Sequence, residues 1–418
     1  MIRGKPHQTL RLDRATHGSR LAPCLLIALL ACSPVAQARQ EPLDSASDLA
    51  EQERAYRDAI EAIETDHGAY GPGLSEQILG LSHTLQNQGR HQEAVALLKR
   101  GVHLARINDG LYSPRQLPLL QAEIASHIAL GQYTDADERQ HYMYRVQVRS
   151  MEQGELRAQA LMQQAQWQYN AYQLRLGQAG FSRLMSMWDL YRLALNDIID
   201  REGDSSPDLL PPLEGMLRAQ YLIADYEPED EYASSDDLGA RQQLGRFNAY
   251  RAQSYDKGSA VILAMYDIEQ KNEQAEGEEQ GLAAARALTM LGDWRLWHEE
   301  RKEAMEAYQQ AIEELEKRDD AQVQLERFFG TPVALPNLDG VRPLIEVESP
   351  EIGDILLEFG VNERGRVVDL ERIDDNEDVN QAQANRVMRQ LRKTRFRPRL
   401  EAGEVVETEK IVRAYEVN

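Results

Sequence analysis

The stretches GAYGP (Gly68–Pro72) and GLYSP (Gly110–Pro114) have Gly, Tyr and Pro at the same three positions, and they lie 42 residues apart. A further pair of glycines, Gly89 and Gly131, keeps the same offset. Several matched positions at one spacing indicate that a structural unit is repeated, and a unit of this length is typical of stacked helical hairpins. The sequence therefore predicts an array of hairpins in which the repeated phrase connects one hairpin to the next.

The residues between the two phrases support this interpretation. Ile78, Leu81 and Leu85 recur at helical spacing and would lie on one face of a first helix. Gly89 can adopt the left-handed conformation that ends a helix. Ala94 then falls in a second helix, where a small side chain would allow two helices to approach closely. Downstream, residues 151–281 keep a helical pattern but fit no even period.

The segment LTMLGDWRLWHEERKEAMEAYQQAIEEL (Leu288–Leu315) resembles a tetratricopeptide repeat. Its leucines and Gly292 match the signature of the first helix, and Ala304 with Tyr308 matches that of the second. The 42-residue spacing upstream is similar to the longer repeats of kinesin light chains. The resemblance implies a mainly α fold, with a helical array over residues 48–330 and a concave face that holds a peptide or a partner helix.

The resemblance also implies which side chains face that groove. The predicted partner-binding residues are His83, Gln86, Asn87, Gln121, Asp293 and Trp297, with Ala125 beside them. Trp297 next to Asp293 could hold an apolar anchor and a hydrogen-bond donor of a ligand. The alternative is that Trp297 packs against the domain that follows.

A different pattern begins after the helical repeats. GDILLEFGVNERGRVVDLERID (Gly353–Asp374) alternates as two strands, Asn380–Thr394 is helical, and Glu409–Val417 alternates again. This order and the TRFRPRLEAGEVV stretch (Thr394–Val406) resemble the TonB C-terminal domain. The resemblance implies a small α+β (β-β-α-β) domain with three strands and one helix over residues 350–418, able to add an edge strand to a partner's sheet.

Seven basic residues crowd the predicted helix of that domain and the stretch that follows it. One interpretation is a basic patch for lipid headgroups or for an acidic segment of a partner, and the other is a solvated helix face balanced by nearby carboxylates. The residues are Arg386, Arg389, Arg392, Lys393, Arg395, Arg397 and Arg399.

The first residues read as a bacterial secretory signal. A basic region precedes an apolar run, and Ala36-Gln37-Ala38 forms a cleavage site, so we expect a mature periplasmic chain beginning at Arg39. LLAC, ending at Cys32, is the alternative, a lipoprotein anchored through that cysteine. Cleavage after Ala38 would remove Cys24 and Cys32, the two cysteines of the chain, so no disulfide is expected.

The composition excludes some functions and favours others. The formal net charge of −22 repels phosphate backbones, which disfavours nucleic-acid binding. The sequence lacks HExxH, GxSxG, a phosphate loop and GxGxxG, so neither an enzyme nor a cofactor is predicted. We expect a scaffold in the envelope of a Gram-negative bacterium, with a TonB-like component of envelope transport acting on an outer-membrane partner as the alternative.

The predicted division of the chain has five parts. They are a signal peptide (1–38), tetratricopeptide-like repeats (39–150), a helical continuation ending in a tetratricopeptide-like unit (151–330), a Pro/Gly linker (331–349) and the TonB C-terminal-like domain (350–418).

Overall fold

The structure, a computed structural model, describes residues 46–177, 180–228, 238–276, 281–347, 353–376 and 378–417. Its helices are α1 (Ala46–His67), α2 (Leu74–Asn87), α3 (His91–Asp109), α4 (Gln116–Ala129), α5 (Tyr133–Ser150), α6 (Glu155–Gln173), α7 (Gly180–Glu202), α8 (Leu210–Asp225), α9 (Leu238–Ala252), α10 (Ser254–Glu276), α11 (Leu282–Trp297), α12 (Arg301–Glu316), α13 (Ala321–Phe329) and α14 (Gln381–Lys393). The strands are β1 (Val333–Leu335), β2 (Glu346–Val347), β3 (Ile355–Val361), β4 (Val367–Arg372), β5 (Arg395–Arg397), β6 (Arg399–Glu401), β7 (Glu404–Val406) and β8 (Thr408–Tyr415). The prediction of a helical array followed by a small region rich in strands is confirmed.

The turn inside the first hairpin, α2–α3, ends its first helix through a left-handed residue. Gly89 has φ of 75°, and the N–H of Arg90 donates to the carbonyl of Leu85 at 2.8 Å. The same bond pattern surrounds Gly131 (φ of 70°) between α4 and α5. Such a turn satisfies carbonyls at the helix end, and glycine adopts it without a steric cost. The predicted role of these two glycines is confirmed.

Two further hairpins use the same turn without glycine. Arg175, between α6 and α7, has φ of 53°, and Glu299, between α11 and α12, has φ of 73°. Each is followed by the same closing bond, from Leu176 to Ala171 at 2.9 Å in the first case. The turn at Arg175 lies 44 residues after Gly131, so the repeat continues where the sequence shows no even period. The repeat is not visible in the sequence here, because its turn has arginine in place of glycine.

The connectors between hairpins also repeat. Each contains a glycine with positive φ, and these glycines are Gly68, Gly110, Gly154 and Gly203. They are spaced by 42, 44 and 49 residues, which marks the start of four successive units. The repeated phrase of the sequence is therefore the connector that it was predicted to be.

Helices in the array approach closely where a helical glycine lies beneath an aromatic ring of a neighbouring helix. A Cβ atom on Gly292 of α11 would overlap the ring of Tyr308 of α12. Three other contacts have the same form: Gly80 with Tyr56, Gly215 with Tyr191, and Gly258 with Trp294. Since no other residue leaves room for the ring, these glycines set the distance between the helices.

The array buries a succession of apolar clusters along its length. One joins α1 to α6, a second joins α6 to α12, and a third joins α10 to α13. Ala94, Ala136 and Ala304 are completely buried at helix crossings. The third cluster also contains Leu335 of β1 and Leu400 of β6, so the core continues from the helices into the C-terminal region.

The C-terminal region is built on a four-stranded antiparallel sheet with the order β2-β8-β3-β4. Helix α14 covers one face, where Val387 and Leu391 pack with Phe359 and Phe396. The predicted strands correspond to β3, β4 and β8, and the predicted helix to α14. The fourth strand, β2, comes from residues predicted as a linker.

That predicted linker, residues 331–349, also supplies β1. Strand β1 pairs with β5 in antiparallel register, with Val333 opposite Arg397. The pairing fixes the chain between α13 and β2 against the C-terminal region. Beyond β5, strands β6 and β7 form a short hairpin of their own.

Candidate protein-binding face and junction cavity

Three of the predicted groove residues share one position of the repeat. His83, Ala125 and Asp293 each lie six residues before the left-handed turn residue of their hairpin, and Tyr169 has the same place before Arg175. All four stand on the first helix of a hairpin. We call this position of the repeat the groove position. It marks one face along the array.

In the first two hairpins this face is open to solvent. His83, Asn87 and Gln121 are exposed, and their predicted role in partner binding stays a prediction. The ring of His83 hydrogen-bonds through Nδ1 to Oε1 of Gln86 at 3.0 Å. These side chains are available for a partner.

Gln86 has a different role from the one predicted. Its amide nitrogen donates to the carbonyl oxygen of Ala122 at 2.8 Å and to Oγ of Ser126 at 2.7 Å. Both acceptors belong to α4, so Gln86 joins the first helices of neighbouring hairpins. The prediction that it is free to bind a partner is wrong, because its donors are used within the array.

Asp293 is also not a free groove residue. It is 5% exposed, and its carboxylate accepts from Arg397 at 2.8 and 3.0 Å and from the hydroxyl of Tyr308 at 2.8 Å. Burial raises the pKa of Asp293, and the charge of Arg397 offsets part of that rise. The prediction that Asp293 offers a contact to a ligand is wrong, because β5 already places an arginine there.

Trp297 is half-buried in an aromatic cluster. Its ring lies 5.2 Å from that of Tyr221, 6.0 Å from that of Trp294 and 4.8 Å from that of His298, measured between centroids. Burial, with the charge of Arg395, lowers the pKa of His298 to about 4, so this histidine is neutral at neutral pH. Trp297 thus packs inside the array and also lines the cavity described below, and its predicted role in partner binding stays a prediction.

The seven basic residues do not form one surface. The exposed ones on α14 are Arg386, Arg389, Arg392 and Lys393. Arg397 is buried against Asp293, and Arg399 pairs with Glu401. The prediction of a single patch is therefore wrong for the residues of β5 and β6, because their strands turn the guanidinium groups toward partners within the chain.

Arg395 fastens the C-terminal region to the end of α11. Its guanidinium donates to the carbonyl of Leu296 at 2.7 Å and to the carboxylate of Glu299 at 2.5 Å. Arg366 lies 3.7 Å from the same carboxylate. Glu299 holds a left-handed conformation that is unfavourable for a residue with a side chain, and its carboxylate meets both arginines.

A cavity of about 500 Å³ lies beside this contact, between the array and the C-terminal region. Tyr221 and Trp297 supply its aromatic wall. Its charged residues are Asp225 and Glu227 on the array side, and Arg366, Lys393 and Arg395 on the other. The cavity thus brings together Trp297 and two of the predicted basic residues.

The arrangement suits the capture of a side chain. A wall of Tyr and Trp rings offers apolar area at small conformational cost, and such rings are the usual anchors of protein interfaces. Basic and acidic groups at the rim can orient a charged neighbour on the same ligand. Tyr221 of α8 and Pro336, which follows β1, also line the cavity. Sequence analysis did not find them, because no sequence spacing relates these residues to α11.

The described residues hold no group of three or more His, Cys, Asp or Glu side chains suited to a metal ion. Over the same residues, no helix is long and apolar enough to cross a membrane.

Comparisons with known proteins give only distant structural similarity. No protein-family model matches the sequence, and no curated protein matches it significantly. Among solved structures the chain is similar to BtubC (BKLC) from P. vanneervenii, with 14% identity and a TM-score of 0.35 over 65% of this chain and 91% of that one. It is also similar to the Podosopora anserina putative kinesin light chain with nearly identical TPR-like repeats, with 16% identity and a TM-score of 0.34 over 58% and 95% of the two chains. A second crystal structure of that protein gives 15% identity and the same score over 60% and 95%.

The resemblance of residues 350–418 to the TonB C-terminal domain is not confirmed by these comparisons. The repeated turns, connectors and glycine contacts are those of an array of repeated helical hairpins.

Proposed function

We propose that the protein is a periplasmic scaffold or adaptor that binds a peptide or protein through the first helices of its array. The junction cavity receives an anchoring side chain of that partner. The observation that carries this proposal is the cavity itself, whose volume of about 500 Å³ falls in the range of ligand sites and whose wall contains Tyr221 and Trp297.

The location in this proposal rests on the leader. Its basic region, its apolar run and Ala36-Gln37-Ala38 are the features of a cleavable export signal. Residues 1–45 lie outside the part of the chain that the structure describes. A lipid anchor at Cys32 would place the same scaffold at a membrane surface. The mass of the exported protein distinguishes a chain beginning at Arg39 from an acylated one.

The TonB-like alternative would require a usable edge strand. Strand β4 lies at one edge of the sheet, and it pairs with β3. The register shifts between Glu358 and Gly360, and Asp369 of β4 has φ of 50°. Such irregularities protect an edge from further pairing. The array is therefore the favoured binding element.

The test uses peptides selected from a random displayed library on the mature chain. We expect Lys393→Ala and Trp297→Ala to weaken these peptides at least tenfold in fluorescence anisotropy. Arg386→Ala is the matched control, since Arg386 is exposed on the same helix as Lys393 and does not line the cavity. Selected peptides that bind all these variants equally well would exclude the cavity as the binding site.

A further inference from the structure

A segment of the chain's own C-terminal half lies on the array at the groove position. The hydroxyl of Tyr169 on α6 donates to the carbonyl oxygen of Gly340 at 2.7 Å. Nε of Arg218 on α8 donates to the carbonyl oxygen of Asp339, also at 2.7 Å. Two neighbouring first helices thus hold two consecutive main-chain carbonyls.

These two side chains occupy equivalent places in successive units. Tyr169 lies 15 residues after the connector glycine Gly154, and Arg218 lies 15 residues after Gly203. His83 has the same place after Gly68. The residues that hold the segment therefore stand at the position for which the repeat resemblance implies partner binding.

The bound segment is a β-turn. The N–H of Val341 donates to the carbonyl of Leu338 at 3.1 Å, and Gly340, the third residue, has φ of 85°. Positive φ at this place favours glycine. The carbonyls of the two central residues remain free of the turn's own bond, and they are the two that Arg218 and Tyr169 bind.

Apolar contacts complete the recognition. Leu338 and Val341, the first and fourth residues of the turn, are half-buried against the apolar cluster of α6 to α12. A Cβ atom on Gly340 would lie 3.0 Å from the hydroxyl of Tyr169. The face therefore recognises two main-chain carbonyls, two apolar side chains and a glycine at the third residue of the turn.

The contact between the turn and the array is exposed enough to be reversible. Asp339 and Arg342 are exposed and pair with each other at 3.2 Å, and the two carbonyl bonds lie at the protein surface. Water can replace such bonds at small net cost. The turn can therefore leave the face without unfolding the helices beneath it.

We propose that the α6–α8 part of the face is a binding site for a β-turn with apolar first and fourth residues and glycine third. Residues 338–341 are its resident occupant, and a partner that carries the same turn displaces them. The inference rests on the proposed function, since it names what the array face recognises.

The experiment measures binding in trans of a fluorescein-labelled peptide with the sequence of residues 335–344. Gly340→Ala in the full mature chain strains the positive φ of the turn and crowds the hydroxyl of Tyr169, so we expect it to release the turn from the face. The peptide should bind this opened variant at least tenfold more tightly than the wild-type protein. Arg218→Gln added to the opened variant should weaken binding of the peptide at least tenfold, whereas Arg192→Gln, at an exposed arginine of the second helix α7, should leave it unchanged. A peptide carrying alanine in place of its glycine should not bind.

A second opened variant, Leu338→Ser with Val341→Ser, guards against a local effect of the alanine, and circular dichroism checks that both variants fold. Equal binding to wild-type and opened proteins, or binding that ignores Arg218, overturns the proposal. Unfolding of both opened variants overturns it as well, because the turn would then be a fixed part of the core. The probe is the chain's own segment, so this result is independent of whether library peptides use the junction cavity.

Discussion

The buried contact of Asp293 with Arg397 shows what a single residue contributes to the junction. Asp293 stands at the groove position of the last hairpin, but it is buried there. Its partner lies 104 residues away in β5. No local pattern relates two residues across such a distance, so the sequence could not distinguish a ligand contact from an internal ion pair.

Replacing Asp293 should therefore destabilise the protein strongly. Asp293→Asn leaves the guanidinium of Arg397 buried without its counter-charge, and loss of one partner of a buried pair costs about 3–5 kcal/mol. Urea unfolding followed by tryptophan fluorescence measures the change. Glu401→Gln is the control, because its pair with Arg399 is exposed and should contribute at most about 1 kcal/mol. Equal effects of both substitutions would show that the buried pair is not what holds the junction.

At the scale of helices and turns, the sequence predicted the turns and connectors of the first two hairpins, where glycines mark them. Gly89 and Gly131 revealed their turns, whereas Arg175 forms the same turn without any sequence signal. The glycines under aromatic rings were missed for another reason. Gly215 and Gly258 interrupt helices in the sequence and read as unfavourable there, because only packing against a neighbouring helix explains them.

A matched pair of substitutions separates helix propensity from packing. Gly292→Ala should destabilise the array by about 1–3 kcal/mol, since the new methyl group overlaps the ring of Tyr308. Gly245→Ala in α9 meets no atom within 4 Å and should stabilise by about 0.5–1 kcal/mol, because alanine favours the helix. Thermal melting of both variants tests this directly. If Gly292→Ala also stabilises, helix separation is not set by the glycine.

At the scale of the whole molecule, the C-terminal region lies on groove positions of the later hairpins. Tyr169, Arg218 and Asp293 bind residues 340, 339 and 397 respectively, whereas His83 at the equivalent place remains exposed. The sequence predicted the two regions separately because each has its own period. Their contact depends on individual side chains, so periodicity carried no information about it.

The distribution of these contacts predicts how removal of the C-terminal region acts. Without residues 331–418, the third apolar cluster loses Leu335 and Leu400, and the buried Asp293 loses Arg397 and keeps only the hydroxyl of Tyr308 among these two partners. The cluster of α1 to α6 contains no residue beyond Leu176 among those described. Hydrogen exchange should therefore accelerate in α11–α13 of the shortened chain and stay unchanged in α2–α5, because repeat units are stabilised by their neighbours. Uniform acceleration along the array would mean that the C-terminal region stabilises the array as one cooperative unit. Unchanged exchange in α11 would mean that the junction contributes nothing to the last hairpin.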